Sequence, residues 1–263
     1  MPAKESVIAA ASLCVAAALP GCSAAPSAAD PPVPTTVHST AHPTAHPAKA
    51  VFAFTVAGDR PVLPGGSQDT HAQTPNVRCD SATFAANKAL GTRVARAFAL
   101  AGFPASADLL AHFLTGTGTG VNYRAGSSIA KKALASEAFR ALNAEVQTAI
   151  LRQLKAGRTR VRLSAGQLPA VAFESRSSDL YWGFRGTQGL TVTGRGTREN
   201  GRYAGTLSYV IRDSYWFPIG DTLDGFGPPM RYLQTVCGAP RYAGGAHWFP
   251  DTITVTVPFS RPA

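Results

Sequence analysis

The chain is poor in cysteine, in charged residues and in long apolar runs, and each shortage excludes or disfavours a class of protein or of site. Four of the 263 residues are cysteine and no two of them form a Cys-x-x-Cys pair, which disfavours a zinc site. Charged residues make up 15% of the chain and hydrophobic residues 45%, so the composition excludes a charge-rich disordered protein. No apolar run reaches the roughly 20 residues that a membrane-spanning helix needs, which excludes a polytopic membrane protein.

The N-terminus has the pattern of an export signal. Lys4 precedes an apolar stretch over residues 7–19, and the stretch ends in Leu19-Pro20-Gly21-Cys22. This ending resembles the lipobox of bacterial lipoproteins, although Pro20 is a less usual residue at its position. The resemblance implies that Cys22 receives a diacylglycerol and becomes the first residue of a lipid-anchored, extracytoplasmic protein. The alternative is an ordinary secretory signal that is cut near Ser23.

The composition divides the rest of the chain into a tether and a folded body. Residues 1–21 are the predicted signal peptide, and residues 22–50 are a tether rich in Pro, Ala, Thr and His. Residues 51–263 form a single predicted domain. Its first segment, residues 51–56, has the composition of a strand, and the sequence leaves open whether this segment joins the sheet.

The cysteines support an exported protein. Cys14 lies in the signal peptide and Cys22 is the predicted lipidation site. Cys79 and Cys237 remain as an even pair in a compartment where disulfides persist. We therefore predict a Cys79–Cys237 disulfide, with two free thiols as the alternative.

The body is predicted to divide into a helical half (80–157) and a β half (158–259). In the helical half, the longest predicted helix runs from Ser136 to Lys155. Ser136 is its N-terminal cap, Gly157 is the stop signal just beyond its end, and apolar residues recur between them at steps of three and four. In the β half the apolar period becomes two, and Asn200-Gly201 is a hairpin signal. Strands joined by short connections favour an antiparallel sheet. The expected fold is α+β, with N-terminal helices packed on a C-terminal antiparallel sheet.

Three arginines alternate with less polar residues at the start of the predicted β half. On a strand, Arg158, Arg160 and Arg162 would share one face, with guanidinium groups about 6.6–6.8 Å apart. Such a row suits successive anionic groups, and the anions outside a bacterial cell include lipid headgroups and wall polymers. Nucleic acid is not expected, because no aromatic residues are interleaved with the row. The alternative is an edge strand that uses charge to prevent aggregation.

The segment from Asp213 to Pro218 carries a candidate for catalysis. Asp213-Ser-Tyr215 follows directly from a predicted strand, and this order resembles the motif of colicin M-like lipid II hydrolases. That family continues with an aspartate and then with His-Arg, whereas here Trp216 follows the tyrosine and no His-Arg lies nearby. Asp213 could still form a carboxylate pair with Asp221, if the loop brings the two within about 5–10 Å. The alternative is a loop in which aspartates cap turns.

His247 is a further candidate. It lies four residues before Asp251 in a glycine-containing segment, so it could act as a general base that Asp251 orients. A hydrolase of this kind would need a nucleophile, and the Gly-x-Ser-x-Gly motif is absent. The alternative is a histidine packed beside its aromatic neighbours.

These patterns favour a non-enzymatic binding or structural module of the cell envelope. Its lipid anchor would hold it at the membrane, and its partner would be an anionic envelope polymer or an envelope protein. The competing hypothesis is a secreted hydrolase that acts on an envelope substrate through Asp213, Asp221 and His247. We expect neither a cofactor nor a metal ion.

Overall fold

In the part of the chain that the structure describes, six strands form one mixed sheet, and helices pack on one of its faces. The computed structural model describes residues 52–61, 77–184, 187–218 and 225–263. These residues belong to a compact unit that spans Lys49–Ala263. The predicted signal peptide (1–21), the tether (22–50) with Cys22, and Asp221 lie outside the described residues.

The elements alternate along the chain. The strands are β1 (Phe52–Arg60), β2 (Val121–Tyr123), β3 (Arg160–Leu163), β4 (Gly189–Glu199), β5 (Arg202–Tyr215) and β6 (Phe249–Pro262). The helices are α1 (Ser81–Leu100), α2 (Pro104–Thr115), α3 (Ser128–Ala135), α4 (Glu137–Lys155), α5 (Asp179–Gly183) and α6 (Gly227–Thr235). The predicted α+β class is confirmed.

The strand order is β2-β6-β5-β4-β1-β3. The four central strands are antiparallel, whereas β3 runs parallel to β1 and β2 runs parallel to β6. The prediction of an antiparallel sheet is therefore wrong at both edges. Long helical segments precede β2 and β3, and a chain that returns through such a crossover can pair in parallel. β1 joins the sheet between β3 and β4, which answers the question that the sequence left open.

The predicted separation into a helical half and a β half holds only in part. α5 and α6 lie within the predicted β half, and β2 lies within the predicted helical half. α5 has five residues, too few to show a helical period. α6 begins with Gly227-Pro228-Pro229, a composition that indicates a turn when it is read from sequence alone.

The sequence signals around α4 are confirmed. The Ser136 side chain accepts a hydrogen bond from the Phe139 amide at 3.2 Å, and Gly157 has a φ of +80° just beyond the helix end. The apolar stripe of α4 is buried in the core, at Phe139, Leu142, Val146, Ile150 and Leu154. The Asn200-Gly201 hairpin between β4 and β5 also forms, with positive φ at both residues.

The two faces of the sheet differ sharply. Alternate residues of β5 point into the core, at Tyr203, Leu207, Tyr209, Ile211, Asp213 and Tyr215. The intervening residues lie on the opposite face, where Gly189 at the start of β4 is the one buried residue among the described strands. The helices therefore cover one face and leave the other open. We call the open side the outer face.

Candidate functional site

Two aspartates lie side by side on the core face at one end of the sheet. Asp213 of β5 is directly opposite Asp251 of β6 in the strand register. Directly opposed residues of neighbouring antiparallel strands have Cβ atoms about 4.5–5.5 Å apart and point to the same side. Asp213 is 7% exposed and Asp251 is 0% exposed. The sheet therefore holds two carboxyl groups together inside the core.

The two carboxyl groups differ in the hydrogen bonds that they accept. The amide of Ser214 donates to Oδ1 of Asp213 at 2.8 Å. Among the residues that the structure describes, neither carboxylate oxygen of Asp251 has a hydrogen-bond partner. Burial, and then the charge of Asp213, raise the pKa of Asp251 well above its ordinary range. Both effects stabilise the neutral acid of Asp251 relative to its carboxylate.

Two tyrosines lie near this pair. Burial, followed by the charges of Asp108, Asp251 and Asp179, raises the pKa of Tyr123 on β2. Burial and the charge of Asp251 likewise raise the pKa of Tyr215. Both phenols therefore stay protonated at neutral pH.

A third buried carboxylate, Asp179, is fully supported by its neighbours. It is 1% exposed and accepts from the Ser106 amide at 2.9 Å and from the Ser106 hydroxyl at 2.8 Å. Nζ of Lys132 forms an ion pair with it at 2.7 Å. Phe103 caps α2 without a side-chain hydrogen bond, so Asp179 supplies the carboxylate at that helix start. This cluster fastens α2, α3 and α5 together.

His247 lies in the segment that leads into β6. Its amide donates to the Phe113 carbonyl at 3.2 Å, and its Nδ1 lies 2.5 Å from the Trp248 carbonyl. The imidazole stacks on the Trp248 indole, with ring centres 5.8 Å apart, and its other neighbour is Gly118. These contacts hold His247 against the loop after α2. They give it no contact with Asp251, which sequence analysis considered as its orienting group.

The residue that sequence analysis missed as the partner of Asp213 is Asp251. A usable signal was present, because Asp251 falls in the same period-two phase as Phe249, Ile253 and Val255, all of which are buried. An aspartate in that phase is expected on the core face. The predicted partner Asp221 lies outside the described residues.

The arginine row has a different setting from the one expected. Arg160 and Arg162 lie on β3 with exposed side chains on the outer face, and Arg158 is exposed just before that strand. Thr55 of β1 is in register with Arg160 on one side and with Arg195 of β4 on the other. Since strands lie about 4.8 Å apart, Arg160 and Arg195 flank Thr55 with backbones about 10 Å apart.

Hydroxyl groups cover much of the rest of the outer face. They belong to Thr55, Thr191, Thr193, Thr197, Thr206, Ser208, Ser214, Thr252, Thr254, Thr256 and Ser260. Of the acids on this face, Asp59 is bound to Arg212 at 2.7 Å and accepts from the Thr191 hydroxyl at 2.6 Å. Glu199 lies at the hairpin end, opposite Arg202. The corner formed by Arg160, Arg162 and Arg195 is therefore basic.

The described residues contain no group of three or more His, Cys, Asp or Glu side chains placed to hold a metal ion. Within the same part of the chain, no helix combines the length and apolar character needed to cross a membrane. Comparisons of the chain with protein families, with curated proteins and with solved structures found no match.

Proposed function

We propose that the protein is a lipid-anchored, extracytoplasmic binding module that holds an anionic polymer of the cell envelope on its outer face. The observation that carries the proposal is the cluster of Arg160, Arg162 and Arg195 beside rows of threonine and serine. Guanidinium groups and hydroxyls are the donors that recognise phosphate and sugar oxygens. The net charge of +10 favours approach of such a polymer.

Edge protection is a competing role for Arg160 and Arg162. β3 is the last strand of the sheet, and charge on an edge strand discourages pairing with another chain. Arg195 lies on β4, which has a neighbour on each side. Edge protection gives no role to Arg195, whereas polymer binding uses all three arginines.

A hydrolase acting through Asp213, Asp221 and His247 has weaker support. Asp213 points into the core, and its neighbour Asp251 is completely buried. A catalytic carboxyl group must reach its substrate. The contacts of His247 lie with Trp248, Phe113 and Gly118.

The binding proposal can be tested with cell-wall sacculi that carry phosphodiester polymers, and with the same sacculi after acid extraction of those polymers. The full chain in detergent should sediment with the intact sacculi and not with the extracted ones. Replacing Arg160, Arg162 and Arg195 together with serine should weaken binding by about tenfold or more, since exposed charge pairs contribute up to about 1 kcal/mol each.

The matched control replaces Arg93, Arg96 and Arg140 with serine. These three arginines are exposed on α1 and α4, so the change in net charge is the same. The control should bind like the wild type. Equal weakening in both triple variants would show nonspecific charge attraction and contradict the proposal, and so would equal binding to intact and extracted sacculi.

The anchor is tested separately in cells. The wild type should incorporate labelled palmitate and Cys22→Ala should not. Equal labelling of the two proteins would remove the lipid anchor from the proposal without affecting the binding surface.

A further inference from the structure

The Asp213–Asp251 pair lies where apolar residues would pack equally well, and its burial raises the free energy of the charged carboxylates. Two apolar residues at these positions would continue the core stripes of β5 and β6. Instead, Asp251 is completely buried and, among the described residues, neither of its carboxylate oxygens has a donor. A buried carboxylate without hydrogen bonds takes up a proton instead of remaining charged. When two carboxyl groups face each other, the charge of one further opposes ionisation of the other.

The groups around the pair reinforce this conclusion. The titratable and charged groups on the neighbouring elements are Tyr123 (β2), Tyr215 (β5), Asp108 and His112 (α2), Asp179 (α5), Lys132 (α3) and His247 (the segment before β6). The positive charge of Lys132 is engaged by Asp179 at 2.7 Å. His112 points its Nε2 at the Thr119 carbonyl, 2.7 Å away. None of these groups donates to Asp251.

Complete burial also limits what can reach the site. Asp251 has 0% exposure, so a polymer or metabolite has no path to it in this conformation. A proton can arrive through brief openings of the structure. A metal ion would need more oxygen ligands than two carboxylates supply, and the described residues form no cluster of that kind.

Asp251 lies at the point where the edge strand joins the sheet. Val121, the first residue of β2, is in register with Asp251 on one side of β6, and Asp213 is in register with it on the other. β2 is three residues long, and of the described strands it pairs with β6 alone. It follows the glycine-containing loop 116–120, in which Gly116 and Gly118 have positive φ. A charge on Asp251 would therefore arise where the shortest strand of the sheet, β2, pairs with β6.

We infer that the Asp213–Asp251 pair carries one proton, on Asp251, and that this proton acts as a latch. While it is bound, β2 stays paired with β6. When it is lost, the two carboxylates repel each other and the β2 edge opens together with loop 116–120. The domain would thus respond to the pH outside the cell by opening one edge of its sheet.

The direction of the pH effect follows from the preference for the neutral acid. The pKa of Asp251 is higher in the folded chain than in the unfolded chain, where it is about 4. Its contribution to stability is fully present below the unfolded pKa and is lost as the pH rises through the folded pKa. Asp251→Asn keeps the shape of the neutral acid and cannot ionise, so its stability should not fall in this way.

The test measures melting temperatures of the full chain from about pH 4 to about pH 9. Asp251→Asn should melt about 5 °C or more above the wild type at the alkaline end and within about 2 °C of it at the acidic end. Hydrogen exchange of the Val121, Asn122 and Tyr123 amides should accelerate with pH beyond the normal base catalysis in the wild type only. The matched control is Asp108→Asn, because Asp108 is a nearby exposed carboxylate, and it should keep the wild-type pH profile.

Several results would overturn the inference. One is an identical pH profile for the wild type and Asp251→Asn. Another is stabilisation of the wild type by calcium or magnesium at the alkaline end, lost in Asp251→Asn, since the pair would then be a cation site. If Asp251→Asn does not fold, the infrared spectrum of the wild type decides: a protonated carboxyl band at neutral pH that disappears on alkalinisation supports the latch, and its absence refutes it.

Discussion

At the scale of single residues, the core contains two buried aspartates whose negative charge is neutralised in different ways. Asp179 has two donors from Ser106 and an ammonium group from Lys132, so its charge is compensated. Asp251 has neither, so the proton has to supply the compensation. The difference determines what a neutral replacement should do. Removal of charge should destabilise the protein at position 179 and stabilise it at position 251 above neutral pH.

The Asp179 cluster is suited to a double-mutant cycle. Asp179→Asn places an amide group against the Ser106 and Lys132 donors and should cost about 2–4 kcal/mol of unfolding free energy. Lys132→Met should cost less, about 1–2 kcal/mol, because the Lys132 side chain is 37% exposed and water partly replaces it. Denaturant unfolding of both single variants and of the double variant provides the measurement. We expect the double variant to be more stable than the sum of the two losses predicts, and strict additivity would show that the pair does not interact.

At the scale of elements, a glycine in β4 makes room for a large aromatic side chain. Phe54 of β1 packs edge-on against Tyr203 and Phe259, with ring centres 6.1 Å and 5.8 Å away. A Cβ atom at Gly196 would clash with the Ala204 carbonyl oxygen of β5 and would also lie 2.5 Å from the Phe54 ring. Gly196 therefore allows the Phe54 ring to lie over the strand, which a larger residue would prevent.

Gly196→Ala should destabilise the protein by about 1–3 kcal/mol, because the added methyl group forces both the Ala204 carbonyl of β5 and the Phe54 ring to move. A second replacement, Phe54→Leu in the same chain, vacates part of that space and should recover some of the loss. Chemical denaturation of the three variants checks this. A Gly196→Ala protein as stable as the wild type would show that the ring moves without cost.

The same strand shows where prediction from sequence works and where it ends. The hairpin at Asn200-Gly201 and the limits of α4 could be predicted, because each depends on residues adjacent in the chain. The full length of β4 could not. Gly194 and Gly196 are typical of a turn in sequence, whereas the structure continues the strand to Glu199. Residues distant in sequence occupy the space beside these glycines: Leu207 and Val56 at Gly194, and Phe54 at Gly196. The parallel pairing of the two edge strands could not be predicted either, because each pairing depends on where a long connection returns to the sheet.

The candidate site follows the same division. Arg160 and Arg162 could be placed on one strand face from their spacing, but their neighbour Arg195 is brought close only by β1 lying between β3 and β4. The carboxylate pair needed the β5–β6 register, in which Asp213 meets Asp251 across 38 residues of sequence. A period-two count indicates which face a residue occupies, and it does not identify the residue opposite.

At the scale of the whole molecule, the predicted Cys79–Cys237 disulfide is present, with Cα atoms 5.1 Å apart. It joins the chain just before α1 to the chain just after α6. Further contacts lie beside it: the Asp80 amide donates to the Tyr232 hydroxyl at 3.0 Å, and Nζ of Lys88 donates to the Gly244 carbonyl at 2.7 Å. The disulfide therefore reinforces a contact between α1 and the segment that leads to β6.

Removal of this disulfide should lower the melting temperature by about 10 °C. The bridge closes a loop with a sequence separation of 158 residues, and the chain-entropy relation assigns such a loop about 4–5 kcal/mol. For a domain of this size each kcal/mol corresponds to about 2–4 °C. The measurement compares the wild type with and without reductant, and the matched control is the Cys79→Ala/Cys237→Ala variant, on which reductant should have no effect. Two results would contradict this prediction: equal melting temperatures for the variant and the oxidised wild type, or reaction of both thiols of the native protein with maleimide after unfolding. The sheet and helices alone would then account for the stability of the protein.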